Sequence, residues 1–349
     1  MQTKELQIPG YEKVIEGILT GGLRSIIAVH NTKLGPALGG LRFFPYHSDE
    51  EALTDVLRLS EGMTYKSALA NLPLGGGKAV IIGDPKKFKT RELLESFGDF
   101  INSLGGLYIT AKDVGIEIED LDVIATKTKF VQGTSAKTSG GDPSPVTAYG
   151  VYKGLQAAAN HRWGSPSLKG RKVAIQGLGH VGYGVAKLLS EEGAEISATE
   201  LNANILTKAR EELHITPLAP DGWQATRAEI VCPCAMGATI NKQTIPNLVK
   251  NKVEIIAGGA NNQLLDIRKD GERLREVGIL YAPDFVINAG GIINIACELN
   301  GHYNPAIAME KTEHIYGILL EIFERASRED RPTSIIATEM AREKVGLKN

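Results

Sequence analysis

Short apolar runs rich in valine and isoleucine alternate with segments of helical period along most of this chain, a pattern that predicts an α/β protein with largely parallel sheets. Ser48 followed by Glu51 is a capping-box start for a helix running to about Ala70, on which Leu59, Met63, Lys66 and Ala70 recur at spacings of 4, 3 and 4. The apolar stripe of that helix therefore contains a lysine. The run Ala79–Gly83 reads as a buried strand and Leu107–Thr110 as a shorter one. Further on, Arg171–Gln176, Glu195–Thr199, Glu229–Val231, Val253–Ala257 and Phe285–Ile287 read as strands, with helical runs at Thr147–Asn160 and Gly184–Gly193. An amphipathic helix follows from about Pro305 to Arg328, then Pro332 and a last short helix.

At 349 residues the chain exceeds the size at which a single core stops growing, about 250 to 300 residues, so two domains are expected. The stretch Gln132–Pro145 is dense in Gly, Ser, Thr and Pro and lies between the two periodic halves, where a hinge and an interdomain cleft are expected. Residues 1–145 then form one domain and 146–329 a second, with 330–349 returning to the first. A net charge of −2 without a basic stripe gives no reason for nucleic acid or anionic lipid to bind, so a small molecule is the expected partner. Cys232, Cys234 and Cys297 make neither a disulfide framework nor a zinc set and read as reduced core thiols; no metal is expected. Without an apolar leader core or a membrane-length apolar run, the cytoplasm is the expected address.

Three charged residues stand in apolar or glycine-rich surroundings. Lys66 lies in the helical stripe, and a buried ammonium needs an anion such as a substrate carboxylate. Lys78 follows Gly75, Gly76 and Gly77, which permit close approach of backbone and ligand, and is placed to polarise a carbonyl or exchange a proton. Asp113 follows the short strand, at a strand end. Taken singly, each has an ordinary alternative: a snorkelling lysine, a glycine turn, a capping aspartate.

The second half carries Gly177, Gly179 and Gly182 between a strand and a helix, the context that makes this spacing a dinucleotide fingerprint. Gly177 suits the tight turn, Gly179 close backbone approach to a pyrophosphate, and Gly182 helix-on-strand packing, with His180 and Val181 lining the loop. Glu200 closes the second strand twenty-three residues after Gly177, where a carboxylate binds a ribose diol and repels a 2′-phosphate, favouring NAD over NADP.

Assembled in order, LGPALGGLR, GMTYK, LGGGKAVI, TAKDVG, DPSPVTAYGV, AGGANNQL and YAPDFVINAGG, with twelve residues from Lys66 to Lys78, resemble the amino-acid dehydrogenase family of glutamate, leucine, phenylalanine and valine dehydrogenases, the leucine-type branch most of all. The resemblance implies an N-terminal α/β domain with a mixed sheet, a doubly wound Rossmann NAD-binding domain, and a cleft between them. It implies reversible oxidative deamination of an L-amino acid by NAD to a 2-oxo acid and ammonium, in a homo-oligomer, an octamer, built through the first domain. In that pattern Lys66 grips the substrate carboxylate, Lys78 polarises water and the developing oxo group, and Asp113 moves protons at the amino nitrogen. Thr147, Asn261 and Asn288 match positions facing the nicotinamide or the substrate amine, and Ala235 a cofactor contact.

Glutamate-specific relatives carry a lysine where Leu38 precedes Gly39 and Gly40, and a serine where Ile295 stands. The resemblance therefore implies an apolar pocket of Leu38, Met63, Ala111, Ile292 and Ile295 that suits leucine, isoleucine or valine in branched-chain catabolism, since a γ-carboxylate would be left unpaired there. Gln132 replaces a threonine, the hinge loop is one residue shorter, and Asp142 stands where asparagine is frequent; these departures leave an aromatic substrate, phenylalanine or tryptophan, as the alternative. A 2-hydroxy-acid dehydrogenase lacks its His and Arg pair here, and a catalytically silent NAD-binding protein would not need Lys66, Lys78 and Asp113.

Overall fold

The computed structural model describes residues 2–136, 140–299 and 303–347 and divides into two compact units. The first comprises Met1–Asp142, Ile295–Asn304 and Ala341–Asn349, the second Pro143–Asn294 and Pro305–Met340. The division falls at Asp142, within the glycine- and proline-rich run but earlier than residue 145. Two later segments group with the first unit instead of one, and the terminal segment begins at Ala341 instead of 330, because the last helix runs unbroken from Thr333 to Lys344 and only its end belongs there.

The first unit contains β1 (Gln2–Leu6), β2 (Lys13–Ile18), β3 (Arg24–Asn31), β4 (Ala37–Phe44), α1 (Asp49–Leu69), β5 (Gly75–Ile82), α2 (Pro85–Phe88), α3 (Arg91–Asn102), β6 (Tyr108–Lys112) and α4 (Ile118–Ala125). Its strands lie in the order β1-β2-β3-β5-β4-β6. Pairings from β1 through β5 are antiparallel and those of β4 with β5 and β6 parallel, giving the mixed sheet. Side chains alternate across a strand, so one sheet face packs Ile27, Val29, Leu41, Phe43, Ala79 and Ile81 against Leu93, Phe97 and Phe100 of α3 and Leu121 and Ile124 of α4. The opposite face packs Val14, Ile26, Ala28 and Val80 against Ala52 and Val56 of α1. Each large apolar side chain buried in this way stabilises the fold by roughly 1.5–3 kcal/mol.

The second unit follows with α5 (Ser144–Trp163), β7 (Lys172–Gln176), α6 (His180–Glu192), β8 (Glu195–Thr199), α7 (Ala203–Leu213), β9 (Thr216–Pro217), β10 (Ile230–Pro233), α8 (Ile245–Lys250), β11 (Ile255–Ile256), α9 (Lys269–Glu276), β12 (Leu280–Tyr281) and α10 (Asp284–Ile287). The chain ends with α11 (Gly290–Glu298), α12 (Pro305–Glu329) and α13 (Thr333–Lys344). All six strands are parallel, in the order β12-β11-β10-β7-β8-β9. Numbered from β7, this is the doubly wound Rossmann order, which reverses direction between β7 and β10. Phe285–Ile287, expected as a strand, is helical, and the strand is Leu280–Tyr281 just before it. Pro283 cannot extend a ladder, and the Asp284 carboxylate accepts from the Phe285 and Gln263 amides and starts a helix. No helix among the described residues is long and apolar enough to cross a membrane.

In α1 the cap forms as expected: Ser48 Oγ accepts from the Glu51 amide, and Glu51 reaches back to the His47 amide. The buried stripe differs. The buried residues are Ala52, Val56, Ser60, Thr64, Ser67 and Ala68, with Tyr65 and Leu69 toward the end of the helix, whereas Leu59, Met63, Lys66 and Ala70 are half-buried, one residue or about 100° round the helix. Small side chains line the buried face because α1 presses onto backbone: a Cβ at Gly76 would lie 2.0 Å from the Thr64 amide nitrogen. Gly62, inside the same helix, has open space at its Cβ position. Gly76→Ala is thus expected to destabilise by about 3 kcal/mol or more through overpacking, and Gly62→Ala to stabilise by about 0.5–1 kcal/mol. Urea midpoints of the two variants against the parent check both; a Gly76→Ala midpoint equal to the parent's would refute the packing argument.

Candidate active site

Strand register assembles the first unit's charged groups. Leu38 lies opposite Gly76 of β5 and Leu41 opposite Ala79, which sets Gly40 abreast of Lys78. On the other side of β4, Gly40 pairs with Ala111 and Leu41 with Lys112, so Arg42 and Asp113 come next in the same row. Counting by twos places Leu38, Gly40, Arg42, Lys78, Ala111 and Asp113 on one sheet face, the face that carries α1. The glycines belong to strand β5 and not to a turn. A Cβ at Gly39 would lie 1.7 Å from the Gly77 carbonyl oxygen, and one at Gly40 2.8 Å from Asp113 Cβ. Side chains there would wedge β4 away from β5 and push Asp113 aside.

Lys78 is buried, and its Nζ lies 2.9 Å from Asp113 Oδ2. Arg42 Nε donates to the same oxygen at 3.0 Å, while Arg42 Nη1 donates to Asp55 Oδ2 at 2.8 Å. Tyr46 Oη donates to that Asp55 oxygen at 2.7 Å. The result is an alternating chain, Lys78, Asp113, Arg42, Asp55, Tyr46, in which every charge has an opposite neighbour. Removing one member of such a partly buried series costs about 3–5 kcal/mol, because its partner is left uncompensated. Burial by itself would raise the Asp113 pKa, but Lys78 and then Arg42 outweigh it and hold the carboxyl below its ordinary value. Asp113 is therefore a carboxylate across the neutral range. Both cations meet Oδ2, and no described residue donates to Oδ1.

Arg42, Asp55 and Tyr46 are participants that motif reading passes over. Arg42 ends the LGPALGGLR motif, and alternation from Gly40 would have placed it on the site face; Asp55 and Tyr46 leave no comparable signal. Lys66 and Met63 lie on α1, half-buried, and α1 packs against β5 and β3. Leu38 and Ala111 are almost fully buried, supplying apolar surface beside the charged row. Ile292 and Ile295 lie on α11, the former buried and the latter half-buried.

In the second unit the fingerprint bridges β7 and α6. Gly177 has φ +89°, and a Cβ on it would lie 2.6 Å from Ala235 Cβ, so the residue after Cys234 packs directly on the loop. Gly182 allows the helix to close on the strand, since a Cβ there would lie 2.1 Å from the Gly177 carbonyl oxygen. Gly179 is the N-cap of α6, without a side-chain cap, and open space lies beyond it. The first-turn amides of α6, with exposed His180 and half-buried Val181, thus form an anion site of the kind a pyrophosphate uses. Glu200 accepts from the Leu178 amide at 2.8 Å and from the Asn202 amide at 2.9 Å, which fixes its carboxylate against the loop while lone pairs remain for hydroxyl donors.

Asn288, buried, donates to Asn261 Oδ1 at 2.7 Å and to the Gly259 carbonyl at 3.2 Å. Its own Oδ1 is buried and has no hydrogen-bond partner among the described residues. An unmet acceptor is costly unless a ligand supplies the donor, and a carboxamide N–H of a nicotinamide would do so. Asn261 itself is exposed. Thr147 opens α5, its hydroxyl donating to the Pro143 carbonyl, and its Oγ1 lies 3.2 Å from where a Gly291 Cβ would be. The residues present therefore fit a dinucleotide.

Comparison with known proteins extends both halves. The dimerisation-domain model of the Glu/Leu/Phe/Val dehydrogenases matches residues 19–130, and the Glutamate/Leucine/Phenylalanine/Valine dehydrogenase model matches 141–209 and 201–331. Leucine dehydrogenase of Geobacillus stearothermophilus is 50% identical over 325 residues, 93% of this chain and 87% of that protein. Phenylalanine dehydrogenase of Lysinibacillus sphaericus is 48% identical over 312 residues, 88% of this chain and 81% of that protein. The crystal structure of L-tryptophan dehydrogenase from Nostoc punctiforme superposes with a TM-score of 0.86 at 40% identity, covering 97% of this chain and 96% of the other. Matched in sequence through both units, and in fold along nearly its whole length, the chain belongs to the Glu/Leu/Phe/Val dehydrogenase family and is an amino-acid dehydrogenase.

Proposed function

We propose that this enzyme catalyses the reversible, NAD-dependent oxidative deamination of a branched-chain L-amino acid, leucine foremost, to the 2-oxo acid and ammonium. The observation that carries the reading is the Lys78–Asp113 pair at 2.9 Å, set beside apolar Leu38 and Ala111. Lys66 holds the substrate carboxylate. Asp113 Oδ1 accepts a hydrogen bond from the amino group and later takes a proton as water adds to the iminium carbon. Lys78 donates toward the oxygen that develops on that carbon, where a fixed ammonium stabilises growing negative charge. The dinucleotide, when bound, accepts the hydride from Cα. Leu38, Met63, Ala111 and Ile295 of the first unit receive the aliphatic side chain, and a second carboxylate would meet no partner among them. Leucine dehydrogenase relatives at 50% and 49% identity support the leucine reading. The same reading includes a homo-oligomer, an octamer, built through the first unit.

For NAD over NADP, the supporting feature is Glu200: its charge would oppose a 2′-phosphate. Glu200→Ser is expected to narrow the preference for NAD by one to two orders of magnitude, measured as the ratio of kcat/KM for the two dinucleotides. An unchanged ratio would remove Glu200 from this role.

The substrate assignment is tested with purified protein and L-leucine, L-valine, L-phenylalanine, L-tryptophan and L-glutamate, following NADH absorbance at alkaline pH. Turnover of leucine and valine is expected and none of glutamate; turnover confined to an aromatic substrate would transfer the assignment to the aromatic branch. Asp113→Asn should lower kcat by orders of magnitude while NADH affinity stays nearly constant, and near-parental kcat would end the proton-transfer role.

A second consequence concerns stability. Because the Asp113 pKa is lowered in the folded state, its stabilising contribution is present above the unfolded value of about 3.9 and is lost as pH falls through the folded one. The stability difference between parent and Asp113→Asn should accordingly move against the parent as pH drops below about 4, measured by urea midpoints at stepped pH. Parallel pH profiles would mean that Asp113 is not held ionised.

A further inference from the structure

The second unit carries a pair of sulfurs that deamination does not use. Cys232 and Cys234 flank Pro233 at the end of β10, on one side of the chain because side chains alternate, with their Sγ atoms 3.6 Å apart. Cys232 is buried and Cys234 half-buried, and Cys234 Sγ accepts from the Gly259 amide at 3.5 Å. The Cys232 thiol and the Gly259 amide both favour the Cys234 thiolate against the opposing effect of burial, whereas the same contact and burial push the Cys232 thiol up. One sulfur belongs to a half-buried residue and is thiolate-prone, and the other is fully buried and protonated. No group of three or more His, Cys, Asp or Glu suited to a metal is found among the described residues.

Its position gives the pair leverage. Cys234 Cβ lies 3.1 Å from where a Cβ at Gly182 would be, and the next residue, Ala235, packs on Gly177. Contracting the sulfur separation to a disulfide length of about 2.05 Å draws Cys234 from the Gly259 amide and shifts the end of β10 against both fingerprint glycines. We propose that Cys232 and Cys234 form a reversible dithiol–disulfide switch on the dinucleotide loop, closed by a hydroperoxide and opened by a small thiol.

The Cys234 thiolate attacks a peroxide oxygen; the O–O bond breaks, leaving Cys234 sulfenic acid and a hydroxide that takes up the proton Cys234 had released. The Cys232 sulfur then attacks the sulfenic sulfur, the S–S bond forms, and the departing hydroxyl combines with the Cys232 proton as a second water. Two thiols are oxidised by two electrons, and one peroxide is reduced to two waters. Only the consequence of this step, altered cofactor affinity, rests on the proposed dinucleotide site.

The test treats the reduced full-length protein with hydrogen peroxide and reads intact mass, the disulfide map and NADH affinity by fluorescence. Expected are the loss of two hydrogens, a Cys232–Cys234 cross-linked peptide, and NADH binding weakened about tenfold or more, all reversed by dithiothreitol. Cys297→Ser should behave as the parent, and Cys232→Ala should accumulate a Cys234 sulfenic acid captured by dimedone. Absence of the cross-link at peroxide levels that oxidise the unfolded chain overturns the proposal, as does a cross-link that leaves NADH affinity unchanged. Failure of the reduced protein to bind NADH would instead sink the cofactor reading, while the disulfide map still decides the dithiol.

Discussion

An ammonium buried beside glycine-bearing strands is the feature on which the first unit's chemistry depends. Lys78 can be buried because Asp113 meets it at 2.9 Å, and Asp113 can stand there because Gly40 has no Cβ to displace it. Gly39 and Gly76 act one step earlier, letting β4 close on β5 and α1 close on β5. Bulk at any of these positions would spread the layers and admit water, which weakens a charge pair by raising the local dielectric. Missing side chains and paired charges are thus parts of one arrangement.

The second unit applies a related constraint to neutral groups. Its strand order reverses between β7 and β10, so the loops leaving those two strands diverge and leave a crevice at their carboxyl ends. Gly177 and Gly182 let the first loop close on itself and on Ala235. Glu200 then ties the second strand to the loop through the Leu178 amide. A dinucleotide meeting this end finds amides without caps, an anchored carboxylate and the unmet oxygen of Asn288. These are complementary to a pyrophosphate, a diol and a carboxamide respectively.

Much of this was legible from residues, and the failures have physical causes. The fingerprint glycines between strand and helix and the α1 cap are local patterns that spacing alone reveals, whereas Lys78 and Asp113 each have an ordinary alternative and gain weight only from their order along the chain. Phe285–Ile287 misled because a three-residue apolar run carries no period, and only the preceding proline and aspartate distinguish helix from strand. The apolar period of α1 selects the stripe of Lys66 because helical patterning counts apolar residues, while the helix buries Ser60, Thr64 and Ser67 against glycine backbone, where small size matters more than polarity. Gly75–Gly77 read as a turn or a ligand loop because three glycines suit either, and only the partner strands reveal a ladder. Arg42 carries no signal of its own because its significance lies in register with Asp113, a relation between residues about seventy positions apart.

A carboxylate held below its ordinary pKa is a weak base, which at first sight suits it poorly to deamination. The proposed sequence of steps resolves the difficulty. Asp113 has no need to strip a proton from the substrate ammonium: that proton leaves to solvent before the hydride does, since only a neutral amine can form the iminium, and toward the neutral amine the carboxylate acts as a hydrogen-bond acceptor. The proton it takes comes from water as that water bonds to an iminium carbon, and an oxygen donating electrons to a cationic centre becomes a much stronger acid than water itself. A weak base suffices for so strong an acid, and being weak it returns the proton readily to the departing amine. Lys78 and Arg42 sharing Oδ2 would then both set that low basicity and confine proton traffic to Oδ1, the oxygen to which no described residue donates.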